Sequence, residues 1–190
     1  MCNKTALRRQ LLAIRDGISP KAWQQTSINA QQRLLASDIF ISAGSIALYA
    51  PVRNEVDTFL LHQAAISSGK QVFYPCVKGA ELCFLPVSDI SDLKPGSYCI
   101  PEPGDKGNGC QLNQADLIVV PGVAFDHGGR RIGFGKGFYD RCLSQLPQKP
   151  VLTGLCHDFQ LLEQLPAENH DINMHYIVTD KQMIKTAAEN

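Results

Sequence analysis

The apolar spacing at the start of the chain predicts an amphipathic helix over residues 4–15. Leu7, Leu11 and Ile14 recur at intervals of four and three residues, so one face of this helix is expected to meet the core. A second helix is expected over 19–36, because a serine that can cap a helix is followed by proline in the first turn. Both helices precede the first predicted strand.

Short apolar runs further along the chain predict buried strands. The clearest is 117–120, four consecutive apolar residues of the kind found in a sheet that is covered on both faces. Other strands are expected over 45–49, 71–74, 81–87, 151–156 and 176–179. Helices are expected over 57–69, 137–145 and 159–165. Since strands alternate with helices, we predict an α/β fold with a mainly parallel sheet and helices on both faces.

Ligands of such folds bind beyond the carboxyl ends of the strands. Three loops are expected at that edge: 51–55, the Gly-rich segment 128–140 and 157–158. The Gly-rich segment is expected to follow its strand directly and to open a helix. One composite site is therefore predicted at this edge, whereas 88–109, which is rich in Pro and Gly, is expected to be a connection.

The Gly-rich segment 128–140 carries five glycines, two arginines and a lysine. Glycine lets a backbone approach a ligand closely, successive backbone N–H groups can form a concavity for an anion, and nearby cations favour phosphate. The segment does not match the P-loop, because Gly137 stands where Ser or Thr is needed, nor the dinucleotide fingerprint, because Phe138 stands where Gly is needed. Composition and placement predict phosphate binding; the alternative is a flexible turn that is basic by chance.

A stripe of three cations also runs along the first helix. Lys4, Arg8 and Arg15 are separated by four and seven residues, so they share a face that could reach an anion. The alternative is a solvated basic face, which this segment alone favours.

Three carboxylates are candidates for chemistry. Glu55 follows a predicted strand, where it could accept hydrogen bonds from an aminopyrimidine-like ring or act as a first-turn helix acid. Asp140 could bind Mg²⁺ beside a nucleotide, or it could complement the helix dipole. Asp171 is a second candidate ligand or an ordinary loop residue. The five histidines show no ligand spacing, and no activated nucleophile is evident, which fits a reaction in which substrate groups attack.

Composition narrows the class of protein. The chain has 190 residues, of which 44% are hydrophobic and 19% charged, as in one ordinary soluble domain. Lys+Arg and Asp+Glu both number 18, and this balance argues against bulk attraction to nucleic acid or membrane. The 7 cysteines form no Cys-x-x-Cys pair and are expected to be reduced, mostly packed thiols of a cytoplasmic protein.

Two segments together resemble a known family signature. Residues 116–126 (DLIVVPGVAFD) and 131–140 (RIGFGKGFYD) resemble the signature of the 5-formyltetrahydrofolate cyclo-ligase (methenyltetrahydrofolate synthetase) family. The signature is long and rarely occurs by chance, and the likeness covers nearly the whole chain. Similar elements lie at 4–8, 49–58, 100–103, 154–155 and 165–171. One departure is Phe138, where the family usually has Tyr, so one hydroxyl is lost.

The resemblance implies a single domain over 1–190 with a three-layer α/β/α sandwich and a mainly parallel central sheet, of the NagB, RpiA and CoA-transferase type. It also implies an enzyme that uses ATP and Mg²⁺ to convert 5-formyltetrahydrofolate to 5,10-methenyltetrahydrofolate, with release of ADP and phosphate. The formyl oxygen would take the γ-phosphoryl group to give an iminium phosphate at N5. N10 would then attack the activated carbon, and phosphate would leave. The protein would supply positioning and charge stabilisation.

The resemblance further implies roles for individual residues. Charge on the transferring phosphoryl group would be neutralised by Lys136 and Arg131. ATP would be held by Lys4, Thr5, Ala6, Leu7, Arg8, Arg131, Ile132, Gly133, Phe134, Gly135, Lys136, Gly137, Phe138 and Tyr139. The folate would be bound by Ala50, Glu55, Phe134, Gly135, Lys136, Gly137 and Phe138. Mg²⁺ would be bound by Asp140 and Asp171.

The expected partners are therefore 5-formyltetrahydrofolate and MgATP, without nucleic acid or membrane, for a monomer or weak dimer. Two alternatives stay open. One is a non-catalytic folate- or nucleotide-binding regulator descended from this family, and the other is a related ATP-dependent enzyme that acts on another heterocycle. Intact Lys136, Arg131, Asp140 and Glu55 argue against the regulator, because a pure binder need not keep groups for metal and phosphoryl transfer.

Overall fold

A computed structural model describes residues 4–79, 81–104, 112–147, 150–166 and 172–187. The helices in these ranges are α1 (Lys4–Asp16), α2 (Pro20–Leu35), α3 (Asp38–Ser42), α4 (Phe59–Ser67) and α5 (Phe138–Leu143). The strands are β1 (Ser45–Ala47), β2 (Gln71–Lys78), β3 (Glu81–Pro86), β4 (Leu93–Pro95), β5 (Pro101–Pro103), β6 (Leu117–Val120), β7 (Ala124–Asp126), β8 (Arg131–Ile132), β9 (Val151–Leu155), β10 (Leu161–Leu162), β11 (Tyr176–Val178) and β12 (Met183–Lys185).

Within the described ranges, the centre of the fold is a seven-stranded sheet in the order β12-β11-β9-β6-β1-β2-β3. The strands from β11 to β2 run parallel, and β12 and β3 pair antiparallel at the two edges. All four residues of β6 are buried, as its unbroken apolar run requires. The predicted α/β fold with a mainly parallel central sheet is confirmed.

Both faces of this sheet are covered, which gives the predicted three layers. Residues of α2, α3 and α4 pack on one face, in a cluster with side chains of β1, β2 and β6. On the other face, Leu143 of α5 and Phe125 of β7 pack with Ile118 and Val120 of β6. This second outer layer combines a short helix with the small sheet β10-β7-β8, so it is not purely helical.

The helix α1 packs on the small sheet through the predicted face at Leu7 and Leu11, but not at Ile14. Leu11 is buried in a cluster with Ala124 and Ile132, as expected. The expectation that Ile14 faces the core is wrong, because this residue is 47% exposed. Arg15 is buried in its place. Because Arg15 lies four residues after Leu11, the inward face of α1 continues with a charged side chain.

The Gly-rich segment 128–140 does not follow β6 directly, contrary to expectation. Strand β7 intervenes, and the segment begins in the turn of the β7–β8 hairpin, where the N–H of Gly129 donates to the carbonyl oxygen of Asp126 at 2.9 Å. Gly129 has a φ of 86°, and a Cβ atom there would lie 2.4 Å from the carbonyl oxygen of Met174. Gly129 therefore builds the fold, whereas the glycines of the stretch 133–137 are the ones that line the cavity described below.

Two further predictions of local structure are wrong. The helix expected over 159–165 is a 3₁₀ turn at Asp158–Gln160 followed by β10, which pairs in parallel with β7. That pairing satisfies backbone groups that a helix would satisfy internally. The connection 88–109 contains the hairpin β4–β5.

Among the described residues, no helix combines the length and apolarity needed to cross a bilayer.

Candidate active site

A cavity of about 800 Å³ opens beside the residues that follow β1 and β6. Its walls come from the start of α1, the loop after β1, the stretch that leads into α5 and the β4–β5 hairpin. The loop 51–55 and the Gly-rich segment therefore meet at one edge of the sheet, as the alternation of strands and helices predicts.

The cavity gathers most of the residues that the family resemblance implicates. Its lining includes Lys4, Arg8, Ala50, Glu55, Arg131, Ile132, Gly133, Phe134, Gly135, Lys136, Gly137, Phe138, Tyr139 and Asp140. Thr5, Ala6 and Leu7 lie on α1 and are not among the lining residues. Asp171 lies outside the described residues. The individual roles of all these residues stay predictions.

The stretch 133–137 forms one wall, with backbone conformations that suit glycine. Gly135 and Gly137 have φ values of 96° and 65°, a backbone region that residues other than glycine rarely adopt. Arg8 reaches this stretch from α1, and its Nε donates to the carbonyl oxygen of Gly133 at 2.8 Å. Lys4 also lines the cavity and Arg15 is buried, so the stripe of these three cations is not a solvated basic face, which was the alternative favoured by that segment alone.

Two predicted phosphoryl-handling cations have different surroundings. Arg131 is buried, its Nη2 donates to Oδ1 of Asp140 at 2.6 Å, and its Cζ lies 5.6 Å from the centroid of the Tyr139 ring. Lys136 is exposed, with its Nζ 6.0 Å from the centroid of the Tyr98 ring. The guanidinium of Arg131 is thus paired with a carboxylate, whereas the ammonium group of Lys136 is exposed beside an aromatic ring.

Asp140 offers a partly exposed carboxylate at the cavity wall. No group of three or more His, Cys, Asp or Glu side chains within the described ranges could hold a metal ion. Mg²⁺ usually keeps several waters and takes only one or two carboxylates together with phosphate oxygens. Asp140 therefore fits a magnesium ion that arrives with a nucleotide, and the described residues do not fit an ion enclosed by protein ligands.

Glu55 is the buried carboxylate of the site, with an exposed fraction of 4%. Its Oε2 accepts a hydrogen bond from the backbone N–H of Val52 at 3.1 Å, while its Oε1 has no hydrogen-bond partner among the described residues. Burial raises the pKa of the Glu55 carboxyl to about 7, and the nearby Arg15 guanidinium opposes this rise. Oε1 lies 3.7 Å from Arg15 Nη1 and retains the capacity to accept a hydrogen bond from an N–H donor.

The loop 157–158, the third predicted part of the site, supports the cavity from behind. His157 Nε2 lies 2.9 Å from the carbonyl oxygen of Asn54, and burial lowers the pKa of this imidazole. Asp158 accepts a hydrogen bond from Thr179 Oγ1 at 2.9 Å. Neither residue lines the cavity, so the loop holds its neighbour 51–55 in place.

Sequence reasoning missed two features of the site. The first is the burial of Arg15, which the sequence placed with Lys4 and Arg8 on a face that could reach an anion, but whose guanidinium meets the loop 51–55. Its position four residues after Leu11 is the signal that could have shown its inward direction. The second is the β4–β5 hairpin, which brings Tyr98 to 6.1 Å from the ring of Phe138, centroid to centroid. The segment reads as Pro- and Gly-rich, so its sequence carries no comparable signal.

Comparisons with known proteins identify the family. The profile of the 5-formyltetrahydrofolate cyclo-ligase family matches residues 1–180. A relative from Escherichia coli K12, named 5-formyltetrahydrofolate cyclo-ligase, is 32% identical over 174 residues, which cover 89% of this chain and 96% of that protein. A relative of the same name from Mycolicibacterium smegmatis is 29% identical over 96% of each chain.

Solved structures lead to the same family. The 5,10-methenyltetrahydrofolate synthetase of Aquifex aeolicus, determined by NMR, matches with a TM-score of 0.86 at 33% identity and covers 98% of this chain and 94% of its own. The synthetase of Mycoplasma pneumoniae matches with a TM-score of 0.77 at 28% identity, over 94% and 99% of the two chains. Since the sequence profile, the relatives and the folds agree over almost the full length, the chain belongs to the 5-formyltetrahydrofolate cyclo-ligase family.

Proposed function

We propose that this protein converts 5-formyltetrahydrofolate to 5,10-methenyltetrahydrofolate, with ATP as co-substrate, Mg²⁺ as the metal, and ADP and phosphate as the other products. The observation that carries the proposal is a single cavity that joins the glycine stretch 133–137, with its cations, to the buried carboxylate of Glu55. An anion site and a site for N–H donors in one cavity suit a reaction that phosphorylates a folate.

The folate would occupy the part of the cavity that contains Ala50, Glu55 and the stretch from Phe134 to Phe138. The aminopyrimidine edge of a pterin presents adjacent N–H donors, and an ionised carboxylate offers two oxygens that accept such bonds. Glu55 would therefore orient the ring and, through it, the formyl oxygen and N10.

The triphosphate of ATP would lie against the glycine stretch and the nearby cations. Lys4 and Arg8 would hold it from α1, while Arg131 and Lys136 would stabilise charge on the phosphoryl group during transfer. Bound Mg²⁺ would neutralise charge on the phosphate oxygens, and Asp140 would hold it. Because the formyl oxygen and N10 act as the nucleophiles, the protein residues position the reactants and need not form a covalent intermediate.

The replacement Lys136→Ala tests this proposal most directly. The assay mixes purified protein with 5-formyltetrahydrofolate, ATP and Mg²⁺, and follows the absorbance of the methenyl product. We expect Lys136→Ala to lose most of the turnover, at least about tenfold, because a charge that stabilises the transition state is removed. The fold should survive, since Lys136 is exposed. Lys185→Ala removes another exposed lysine, on β12, and serves as the matched control.

Equal turnover in Lys136→Ala and Lys185→Ala would count heavily against the phosphoryl-handling role. The alternative of a non-catalytic regulator has its own signature: 5-formyltetrahydrofolate and ATP would raise the melting temperature of the wild-type protein, but no product would form. An enzyme acting on another heterocycle would hydrolyse ATP only with that compound.

We further propose that residues 1–190 act as one domain in the cytoplasm, as a monomer or weak dimer, without a nucleic-acid or membrane partner. The balanced charge supports this view, since strong attraction to polyanions needs a basic surplus. Light scattering during size-exclusion chromatography at several protein concentrations tests the oligomeric state, and a stable higher oligomer would contradict the proposal.

A further inference from the structure

Arg15 is a buried arginine, 1% exposed, that lies outside the roles assigned above. Its Nη1 is 3.7 Å from Oε1 of Glu55 and also donates to the carbonyl oxygen of Gly122 at 3.1 Å. Its Cζ lies 5.5 Å from the centroid of the Phe134 ring, which lines the cavity. One side chain of α1 therefore contacts the buried carboxylate, the end of β6 and the glycine stretch.

Arg15 also holds the turn that presents Glu55. Arg53 and Asn54, the two residues before Glu55, have φ values of 50° and 55°, which residues other than glycine rarely adopt. Arg15 Nε donates to the carbonyl oxygen of Arg53 at 2.9 Å, and the side-chain amide of Asn54 donates to the carbonyl oxygen of Arg15 at 3.1 Å. Trp23 Nε1 fixes the end of the turn by donating to the carbonyl oxygen of Glu55 at 2.7 Å. Such a turn persists only where its surroundings determine it.

The charges that face Glu55 come from four directions. Arg15 approaches from α1, and Arg53 belongs to the same loop but is 48% exposed and paired with Asp16. The phenols of Tyr49, after β1, and Tyr139, on α5, are also close enough to couple with its charge, and burial raises the pKa of both. Arg15 is therefore the buried cation that opposes the desolvation of this carboxylate.

We infer that Arg15 is a positioning residue for the substrate ring: its guanidinium aims the Glu55 side chain at the cavity and favours the ionised form of that carboxylate, which can accept hydrogen bonds from the ring. The inference rests on the proposed function only in its reference to the substrate. The geometric link between Arg15 and Glu55 can be tested in the protein alone.

The first test is a pH titration of the Glu55 carboxyl by NMR. The glutamate side-chain carbons are labelled with ¹³C, and the Glu55 signal is identified by its loss in Glu55→Gln. Arg15→Met should raise the titration midpoint of Glu55 by at least about one pH unit, because a buried carboxylate loses its cation. Arg53→Met removes a half-exposed cation from the same loop and should raise the midpoint by clearly less, since solvent screens it.

An unchanged midpoint in Arg15→Met would overturn the inference, and so would an equal rise in Arg53→Met. Trp23 is the only tryptophan of the chain, so its indole N–H signal shows in each variant whether the turn is still formed. Arg15→Lys covers the case in which Arg15→Met does not fold. It keeps the charge but loses the planar fork that contacts Arg53 and Gly122.

The second test measures how KM depends on pH. In the wild type, KM for 5-formyltetrahydrofolate should fall as the pH rises through about 7 and Glu55 ionises; in Arg15→Met this fall should move upward by at least about one pH unit. Arg15→Lys should raise KM for 5-formyltetrahydrofolate at least about fivefold while KM for ATP stays constant. An unchanged folate KM in Arg15→Lys would overturn the positioning role. If the wild type forms no methenyl product, the proposed function fails, but the titration still decides whether Arg15 controls Glu55.

Discussion

Replacement of Glu55 by Gln should change how the stability of the protein depends on pH. The folded protein binds the Glu55 proton more tightly than the unfolded chain does, since burial raises the pKa of this carboxyl from 4.5 to about 7. The carboxyl therefore contributes stability that is complete below pH 4.5 and is lost as the pH rises through about 7. Gln has nearly the same shape but cannot ionise, so the variant lacks this loss.

The size of the effect follows from the two pKa values. A difference of about 2.5 pH units, at about 1.4 kcal/mol per unit, corresponds to about 3.5 kcal/mol. Part of the change lies below pH 5, so about 2.5 kcal/mol falls between pH 5 and pH 8.5. Glu55→Gln also leaves Arg15 without its carboxylate partner, but Arg15 stays charged throughout this range. That loss shifts the whole curve and does not change its slope.

Urea unfolding at several pH values between about 5 and 8.5 measures the effect. The free energy of unfolding of Glu55→Gln, minus that of the wild type, should increase by about 2.5 kcal/mol with rising pH. Glu163→Gln replaces an exposed carboxyl and provides the baseline. A flat difference for Glu55→Gln would refute the reasoning from burial. A decrease would show that Arg15 outweighs desolvation and that the sign is reversed.

Three further predictions concern the fold and the metal. In urea unfolding, Leu11→Ala should destabilise the protein by about 2–4 kcal/mol, because it leaves a cavity at a buried position. Ile14→Ala, on the exposed side of α1, should change the free energy of unfolding by less than about 1 kcal/mol. Similar losses at both positions would mean that Ile14 faces the core, as the sequence predicted. Gly129→Ala should lower the melting temperature, because the new Cβ would meet the carbonyl oxygen of Met174; an unchanged value would mean that the hairpin adjusts. Asp140→Asn should raise the Mg²⁺ concentration needed for half-maximal turnover, and an unchanged requirement would exclude Asp140 as the ligand.

The helices α1 and α2 and the central strands could be predicted because each carries a strong local signal. Ser19 caps α2 as expected, and its Oγ accepts a hydrogen bond from the N–H of Ala22 at 3.3 Å. The apolar run of β6 is long enough to be recognised without its neighbours. By contrast, β8 and β10 have only two residues each. The pairing of β10 with β7 is a tertiary contact, since Leu161 pairs with Phe125 from far along the chain, and no local pattern encodes it.

The sequence predicted the residues that line the candidate site better than the buried residue that supports them. The glycine stretch and Glu55 stand out because their residue types suit phosphate and N–H donors. The burial of Arg15 does not stand out, because positions 14 and 15, three and four residues after Leu11, can each face inward on a helix. Apolarity favours Ile14, and only the contacts with Glu55 and Gly122 show that the arginine is preferred.

The cost of placing charged groups at this point is itself an argument for a ligand site. Replacing a buried ion pair by well-packed apolar residues is often neutral or stabilising, by about 1–4 kcal/mol. Around Arg15 and Glu55, moreover, several buried polar atoms of the described residues have no hydrogen-bond partner: Arg15 Nη2, Glu55 Oε1, Arg131 Nε and Tyr139 Oη. Buried polar groups in folded proteins are nearly always satisfied. Glu55, Arg131 and Tyr139 line the cavity and Arg15 contacts Glu55, so a molecule bound in the cavity is in a position to complete these hydrogen bonds.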